Sequence, residues 1–251
     1  MELEKPIVAP FKVLVIVAHP DDIEFGSAGS VAVWTAAGAE VIYCIVTDGA
    51  AGSNDKDVIY NQLVERRQAE QIEAAQIVGV KEVVFLGYAD GALTPSMELR
   101  RDLTRLIRKL RPDRVLIMDP TQVLISGEGF DYINHPDHRA TGEASLYAVF
   151  PSAETRPIFP ELLEEGLEPH HVNELYLMMN DKPNIAIDVT TVWDKKIQSL
   201  LAHRSQVGED VADMIRKWDV ATGKEVGVEL AESYRVMRFI DATPEKDTPA
   251  E

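Results

Sequence analysis

Short β-branched runs recur along this chain with longer stretches of helical period between them, and no other feature constrains the fold as much. Residues 12–18, 40–46, 82–86, 114–118, 174–179 and 185–189 read as strands, the first of them the apolar run Val13-Leu14-Val15-Ile16-Val17. Between them, Ser27 to Ala37, Val58 to Val78, Ser96 to Leu110 and Ala140 to Val149 carry apolar residues at helical spacing, and Gly38 and Gly79 stand where C-terminal caps belong. Strand and helix in alternation build a mostly parallel sheet covered by helices. The Pro-rich stretch 151–169 reads as a surface excursion, not a domain boundary.

The expected fold is therefore α/β, a single Rossmann-like domain over 1–242 with a mostly parallel sheet flanked by helices, followed by a disordered tail at 243–251. A chain of 251 residues with 45% apolar content can bury one sizeable core. Forty-two acidic residues against 25 basic give a net charge of −17, with no basic run to offset it. Such a chain is repelled by nucleic-acid phosphates and anionic membranes, so neither is an expected partner. The single Cys44 lies inside the apolar run Val41–Val46 and reads as a small core residue in a reducing compartment. The N-terminus lacks the pattern of a secretion signal, and no apolar stretch reaches the ~18 residues of a membrane span. A cytoplasmic location is expected.

Ligands of parallel α/β sheets bind at the carboxyl ends of the strands. The first strand runs there into A-H-P-D-D-I-E-F-G, residues 18–26. A dinucleotide-binding sheet would carry G-x-G-x-x-G at this place; here Gly26 and Gly29 come too late, which disfavours a nicotinamide cofactor. Imidazole and carboxylate together suit a divalent metal, and His19 and Asp22 can face one ion around a turn while Asp21 points elsewhere. A second set follows the strand 114–118: Tyr132-Ile-Asn-His135-Pro-Asp-His138-Arg139, just before a helix expected from Ala140. Two histidines and a carboxylate with open positions describe both a catalytic zinc site and the facial triad of non-haem Fe(II) oxygenases. The alternation of strand and helix, unlike the β-helices of those oxygenases, favours zinc hydrolysis, with Asp21 free to take a proton from water.

At these residues the chain resembles the LmbE-like, or PIG-L, family of zinc-dependent sugar de-N-acetylases. A-H-P-D-D-x-E (18–24) is similar to the family's first metal motif and H-P-D-H (135–138) to its second. Thr47-Asp48-Gly49, Arg67-Gln-Ala-Glu70, Leu86-Gly87-Tyr88-Ala89-Asp90 and Arg111-Pro112-Asp113 fall between them in family order, and Ile187-Asp188-Val189 through Lys196 to His203-Arg-Ser-Gln206 resembles the C-terminal signature. Tyr132, H-P-D-H-R-x-T-G, Lys182-Pro183-Asn184 and Tyr234-Arg-Val-Met237 are most similar to the diacetylchitobiose deacetylases of the family. The resemblance implies Zn2+ held by His19, Asp22 and His138, and Asp21 as general base. It makes His135 an acid or, when cationic, an oxyanion donor, with Asp137 setting its tautomer or charge. Arg67 and Asp90 would reach sugar hydroxyls, although a surface ion pair with Glu70 and a turn before Gly91 would explain the same two residues. Glu24 is open between a role in the site and a structural one. The place of His203 and Gln206 in the signature implies a pocket wall or a buried hydrogen-bond network, with ordinary helix packing as the alternative. His170-His171, with no motif around it, reads as solvated surface. The implied reaction is removal of the N-acetyl group from a GlcNAc-containing sugar by a trimeric or hexameric enzyme. A ferrous enzyme with the same ligands and a non-catalytic sugar-binding protein of the same fold are the alternatives.

Overall fold

The computed structural model describes residues 1–239 except Pro10, Glu128, Gly129 and Glu209, so the tail expected at 243–251 lies outside the described residues. In chain order the elements are β1 (Glu2–Leu3), β2 (Lys12–Val17), α1 (Asp22–Gly26), α2 (Ala28–Ala36), β3 (Glu40–Thr47), α3 (Tyr60–Ile77), β4 (Glu82–Tyr88), α4 (Met97–Leu110), β5 (Arg114–Met118), β6 (Leu124–Gly127), β7 (Phe130–Ile133), α5 (Pro136–Tyr147), α6 (Glu161–Glu164), β8 (Glu174–Met178), β9 (Ile185–Asp188), α7 (Trp193–Leu201), α8 (Val211–Val226) and β10 (Ala231–Arg238). One sheet has the order β1-β9-β10-β8-β5-β2-β3-β4, and β6-β7 form a separate hairpin. β10 alone in the large sheet runs antiparallel, to β8 on one side and β9 on the other. The α/β class and the mostly parallel sheet are as the sequence predicts.

β2 shows why an apolar run without alternation belongs in this sheet. Its residues are covered on both faces: Val13, Val15 and Val17 join a core with Trp34, Tyr176 and Tyr234, while Leu14 and Ile16 join another with Leu99, Leu103 and Ile107. α4 brings the second core its leucines. It is capped by Ser96, whose Oγ accepts from the Leu99 N–H at 3.1 Å. From β2 the chain moves outward through β3 and β4, then returns to pair β5 on the other side of β2. That reversal opens a crevice at the carboxyl ends of β2 and β5.

Two departures from the sequence reading bear on the crevice. α5 starts at Pro136, not near Ala140, which puts His138 on the helix. Proline is well suited to the first helical position, and His135 before it supplies the cap. The second departure is the C-terminal set α7, α8 and β10, which no apolar pattern announces. Here core positions carry charge: buried Lys196 Nζ lies 2.6 Å from Asp219 Oδ2 and 2.9 Å from Glu232 Oε1. Glu232 also accepts from the Gly29 and Ser30 N–H groups at 3.0 and 2.7 Å, in the first turn of α2. This network ties the reversed strand to α2, α7 and α8. No helix among the described residues is long and apolar enough to cross a membrane. Cys44 is buried, which pushes its thiol up to about 12.

Gly142 lets α5 lie against the end of β5, since a Cβ there would come 2.4 Å from Met118 O and 3.1 Å from Pro120 N. One turn earlier on the same face is His138. Gly142→Ala must push the helix off a backbone carbonyl, so urea denaturation should show a loss of about 1–3 kcal/mol; unchanged stability would mean that α5 does not sit this close.

Candidate metal centre

Beyond Val17 the chain leaves β2 through Ala18, His19 and Pro20. Thr47, at the end of β3, holds this exit: its N–H and its hydroxyl both donate to Ala18 O, at 2.8 and 2.9 Å. Asp22 opens α1 and turns its carboxylate back, accepting from the His19 N–H at 2.7 Å and lying 3.4 Å from His19 Nδ1. His138 enters from the β5 side, its Nε2 3.2 Å from His19 Nδ1 and 3.1 Å from Asp22 Oδ1. Donors about 2.0–2.1 Å from a shared tetrahedral ion stand about 3.3–3.4 Å apart, and the spacing found is close to that.

Hydrogen bonds on the outer side of each ring decide which nitrogen faces inward. Asn134 Nδ2 donates to Gln122 O at 2.8 Å, so its Oδ1, 3.2 Å from His138 Nδ1, accepts from that ring. His138 Nε2 is then a lone pair. His19 Nε2 lies 3.1 Å from Asp90 Oδ1 and 3.4 Å from Asp137 Oδ2, both acceptors, which places its proton there and a lone pair on Nδ1. Two lone pairs and a carboxylate thus face one point and repel one another unless a cation lies between them. Burial disfavours charge on His19, yet Asp22, Asp137 and Asp90 raise its pKa to about 12, so with no metal bound these carboxylates favour positive charge at this place. The donor set fits a divalent ion with open positions.

His135 faces the same cluster in a different capacity. As the N-cap of α5, its Nδ1 accepts from the Asp137 N–H at 3.2 Å, which leaves the proton on Nε2. Ring nitrogens of His19, His135 and His138 lie within 4.8 Å of one another, but in this tautomer His135 presents a donor and not a lone pair. Burial, with His19 and His138 nearby, lowers its pKa, which favours the neutral ring. Asp137 sets the His135 tautomer through its backbone N–H. The carboxylate accepts from the Gly91 and Leu93 N–H groups at 2.7 and 3.2 Å and braces His19.

Asp21 has a left-handed backbone, φ 101°, a strain of about 1–3 kcal/mol for a non-glycine residue, and α3 holds it there. Arg67 Nη2 donates to Pro20 O at 2.7 Å and to Asp21 Oδ2 at 3.2 Å, while Nη1 donates to Gly49 O at 2.9 Å. Gln71 Oε1 accepts from the Asp21 N–H at 3.0 Å. Burial and then Asp22 raise the Asp21 pKa to about 7 against the pull of Arg67. Asp90 accepts from the Ala51 N–H at 3.0 Å through the oxygen that does not face His19. Arg67 and Asp90, expected on sugar hydroxyls, also brace the site itself, Arg67 on Asp21 and Asp90 on His19. Nor is Arg67 in a surface pair, for it is 4% exposed and Glu70 binds Ser205 instead.

The other histidines lie elsewhere. His170 Nε2 is 2.7 Å from Pro112 O and His171 Nδ1 is 2.8 Å from Glu154 Oε1; both rings are half-buried, pinning the Pro-rich excursion, where the sequence suggested solvated surface. The sequence does not single out Asn134 or Gln71. Their only signal is position, one residue before H-P-D-H and one turn after Arg67.

Fold and cluster together define a metal-dependent α/β enzyme, with a carboxylate beside the ion's place and a neutral imidazole donor facing it. Residues 14–149 match the family model described as PIG-L, GlcNAc-PI de-N-acetylase, and the chain belongs to that family. It is 34% identical over 243 residues to the diacetylchitobiose deacetylase of Thermococcus kodakarensis, covering 93% of this chain and 87% of that one. A Bacillus anthracis protein named "Probable N-acetyl-alpha-D-glucosaminyl L-malate deacetylase 2" is 29% identical over 213 residues, 82% of this chain and 86% of its own. Among solved structures, the N,N'-diacetylchitobiose deacetylase of Pyrococcus horikoshii in complex with its inhibitor MPG superposes with a TM-score of 0.85 at 33% identity, over 98% of this chain and 91% of that one. Asn134→Ala frees the His138 ring to turn and should weaken divalent-metal binding by about 10–100-fold in a chelator competition; an unchanged affinity would show that Asn134 does not orient this ring.

Proposed function

We propose that this chain is a zinc-dependent amidohydrolase that removes the N-acetyl group from a GlcNAc-containing sugar, giving acetate and a free amino sugar. The convergence of His19 Nδ1, His138 Nε2 and the Asp22 carboxylate beside an independently held Asp21 carries this reading. Similarity to named sugar deacetylases over nearly the whole chain supports it, and makes the chitin disaccharide the first substrate to test. In this reading His19, Asp22 and His138 hold the zinc. When bound, it supplies Lewis acidity towards a water and an amide carbonyl. Asp21 takes the proton of the attacking water. The neutral His135 donates from Nε2 to the carbonyl oxygen as that oxygen gains charge. As the C–N bond breaks, the proton held on Asp21 passes to the leaving nitrogen. Arg67 and Asp90 keep Asp21 and His19 aimed while forming the wall against which sugar hydroxyls would lie. Assembly into a trimer or hexamer and a cytoplasmic location belong to the same reading, the latter in keeping with the buried, unpaired Cys44.

Protein purified without added metal should contain about one zinc per chain. His138→Ala should empty the site, and His170→Ala and His171→Ala should leave it filled; the reverse pattern would move the site, and iron in place of zinc would favour the ferrous alternative. Asp21→Asn keeps the shape of the side chain without its basicity, so zinc should remain while acetate release falls by ~10² to 10⁴. Asp22→Asn should instead weaken zinc binding, an amide being a poorer ligand than a carboxylate. Near-normal turnover in both variants would sink the hydrolase reading.

A further inference from the structure

Gln71, Glu24 and His203 are fully buried beneath the site, so none of them can touch a sugar or the reacting atoms. They are nevertheless joined to Asp21 in a chain whose direction is fixed by chemistry. The Asp21 N–H can only donate, so the oxygen of the Gln71 amide must face it, at 3.0 Å. Gln71 Nε2 is then a donor, and it reaches Glu24 Oε1 at 3.0 Å. The other Glu24 oxygen lies 3.0 Å from His203 Nε2, which donates to it. His203 Nδ1 is buried and has no partner, so the ring's hydrogen bonding is spent on Glu24. His203 follows α7, and two residues on, Ser205 is clamped to the same helix that carries Gln71: Glu70 accepts from the Ser205 N–H at 3.0 Å and from its hydroxyl at 2.6 Å.

The chain ends on the backbone of a residue in a left-handed conformation, which persists only where its surroundings over-determine it. Rotating Asp21 back to ordinary φ would strip Gln71 of its donor and swing the carboxylate away from the cluster. We propose that His203, Glu24 and Gln71 form a buried hydrogen-bonded chain that positions Asp21 for proton abstraction, making the C-terminal segment at His203 part of the catalytic apparatus without contact to the substrate. The proposal rests on the reading of Asp21 as the general base. The three are positioning residues, and their effect passes through Asp21 alone.

The test uses zinc-loaded Gln71→Met, His203→Ala and His203→Gln, each alone and combined with Asp21→Asn, assayed for acetate release from the chitin disaccharide. Gln71→Met and His203→Ala should lower kcat by about 10–100-fold, the usual effect of removing an orienting partner, with KM and zinc content unchanged. His203→Gln, which places an amide N–H near the former Nε2, should recover most of the loss. In the Asp21→Asn background neither change should lower kcat further, because the group they serve is gone. Unchanged kcat in the single variants, a rise in KM alone, or losses that multiply in the Asp21→Asn background would overturn the chain and leave these residues as core packing. Gln71→Met keeps the side-chain volume and carries the test should His203→Ala fail to fold. Normal turnover by Asp21→Asn itself would overturn the hydrolase reading, and the chain with it, whereas a crippled Asp21→Asn beside normal Gln71→Met and His203→Gln would overturn the chain alone.

Discussion

Repulsion between lone pairs and a carboxylate at one point organises this structure. Two imidazole lone pairs and a carboxylate are pressed to within 3.1–3.4 Å of one another, an arrangement that folding alone would disperse. It survives because each ring is gripped from behind, His138 by Asn134 and His19 by Asp90 and Asp137. Those grips are anchored in turn: Asn134 on the base of the β6–β7 hairpin, Asp137 on the backbone of 91–93, Asp90 on the loop after β3. The loops of four strands are thereby recruited to one electrostatic task, and the mutual repulsion becomes affinity for a cation.

A second scaffold handles the proton. α3 presents Arg67, Glu70 and Gln71 on one buried face, at the i, i+3 and i+4 positions that a helix aligns. Arg67 and Gln71 grip Asp21 from two sides, one on its carboxylate and one on its amide. Separating the two scaffolds lets adjacent residues in the chain differ in kind: Asp22 answers to the histidines and Asp21 to the helix. A left-handed backbone at Asp21 is the hinge that divides them.

How much of this is legible in the sequence depends on whether the signal is local. β2, β3 and β5 announce themselves because strands covered on both faces need uninterrupted apolar runs. His19, Asp22 and His138 stand out because polar clusters at strand ends are rare in such a pattern. The start of α5 is harder to read, since histidine is an uncommon cap, although Pro136 marks the first turn. The C-terminal helices and β10 stayed hidden because their core positions hold Lys196, Asp219 and Glu232, charges that read as surface until their partners are brought together. The grip of Arg67 on Asp21 turns on a backbone angle at Asp21, and nothing in the side-chain pattern encodes that.

The crevice between β2 and β5 also governs the order of events during folding. These two strands are neighbours in space but about a hundred residues apart in the chain, so their pairing closes a long loop and brings in contacts of high sequence separation. Before that pairing, the segment after β2 holds His19 and Asp22 without His138, and the start of α5 holds His138 without them. A nascent chain is thus a poor chelator for most of its synthesis. Metal capture becomes a property of the finished sheet, and the ion's hold on both sides of the crevice then acts as a clasp that resists reopening.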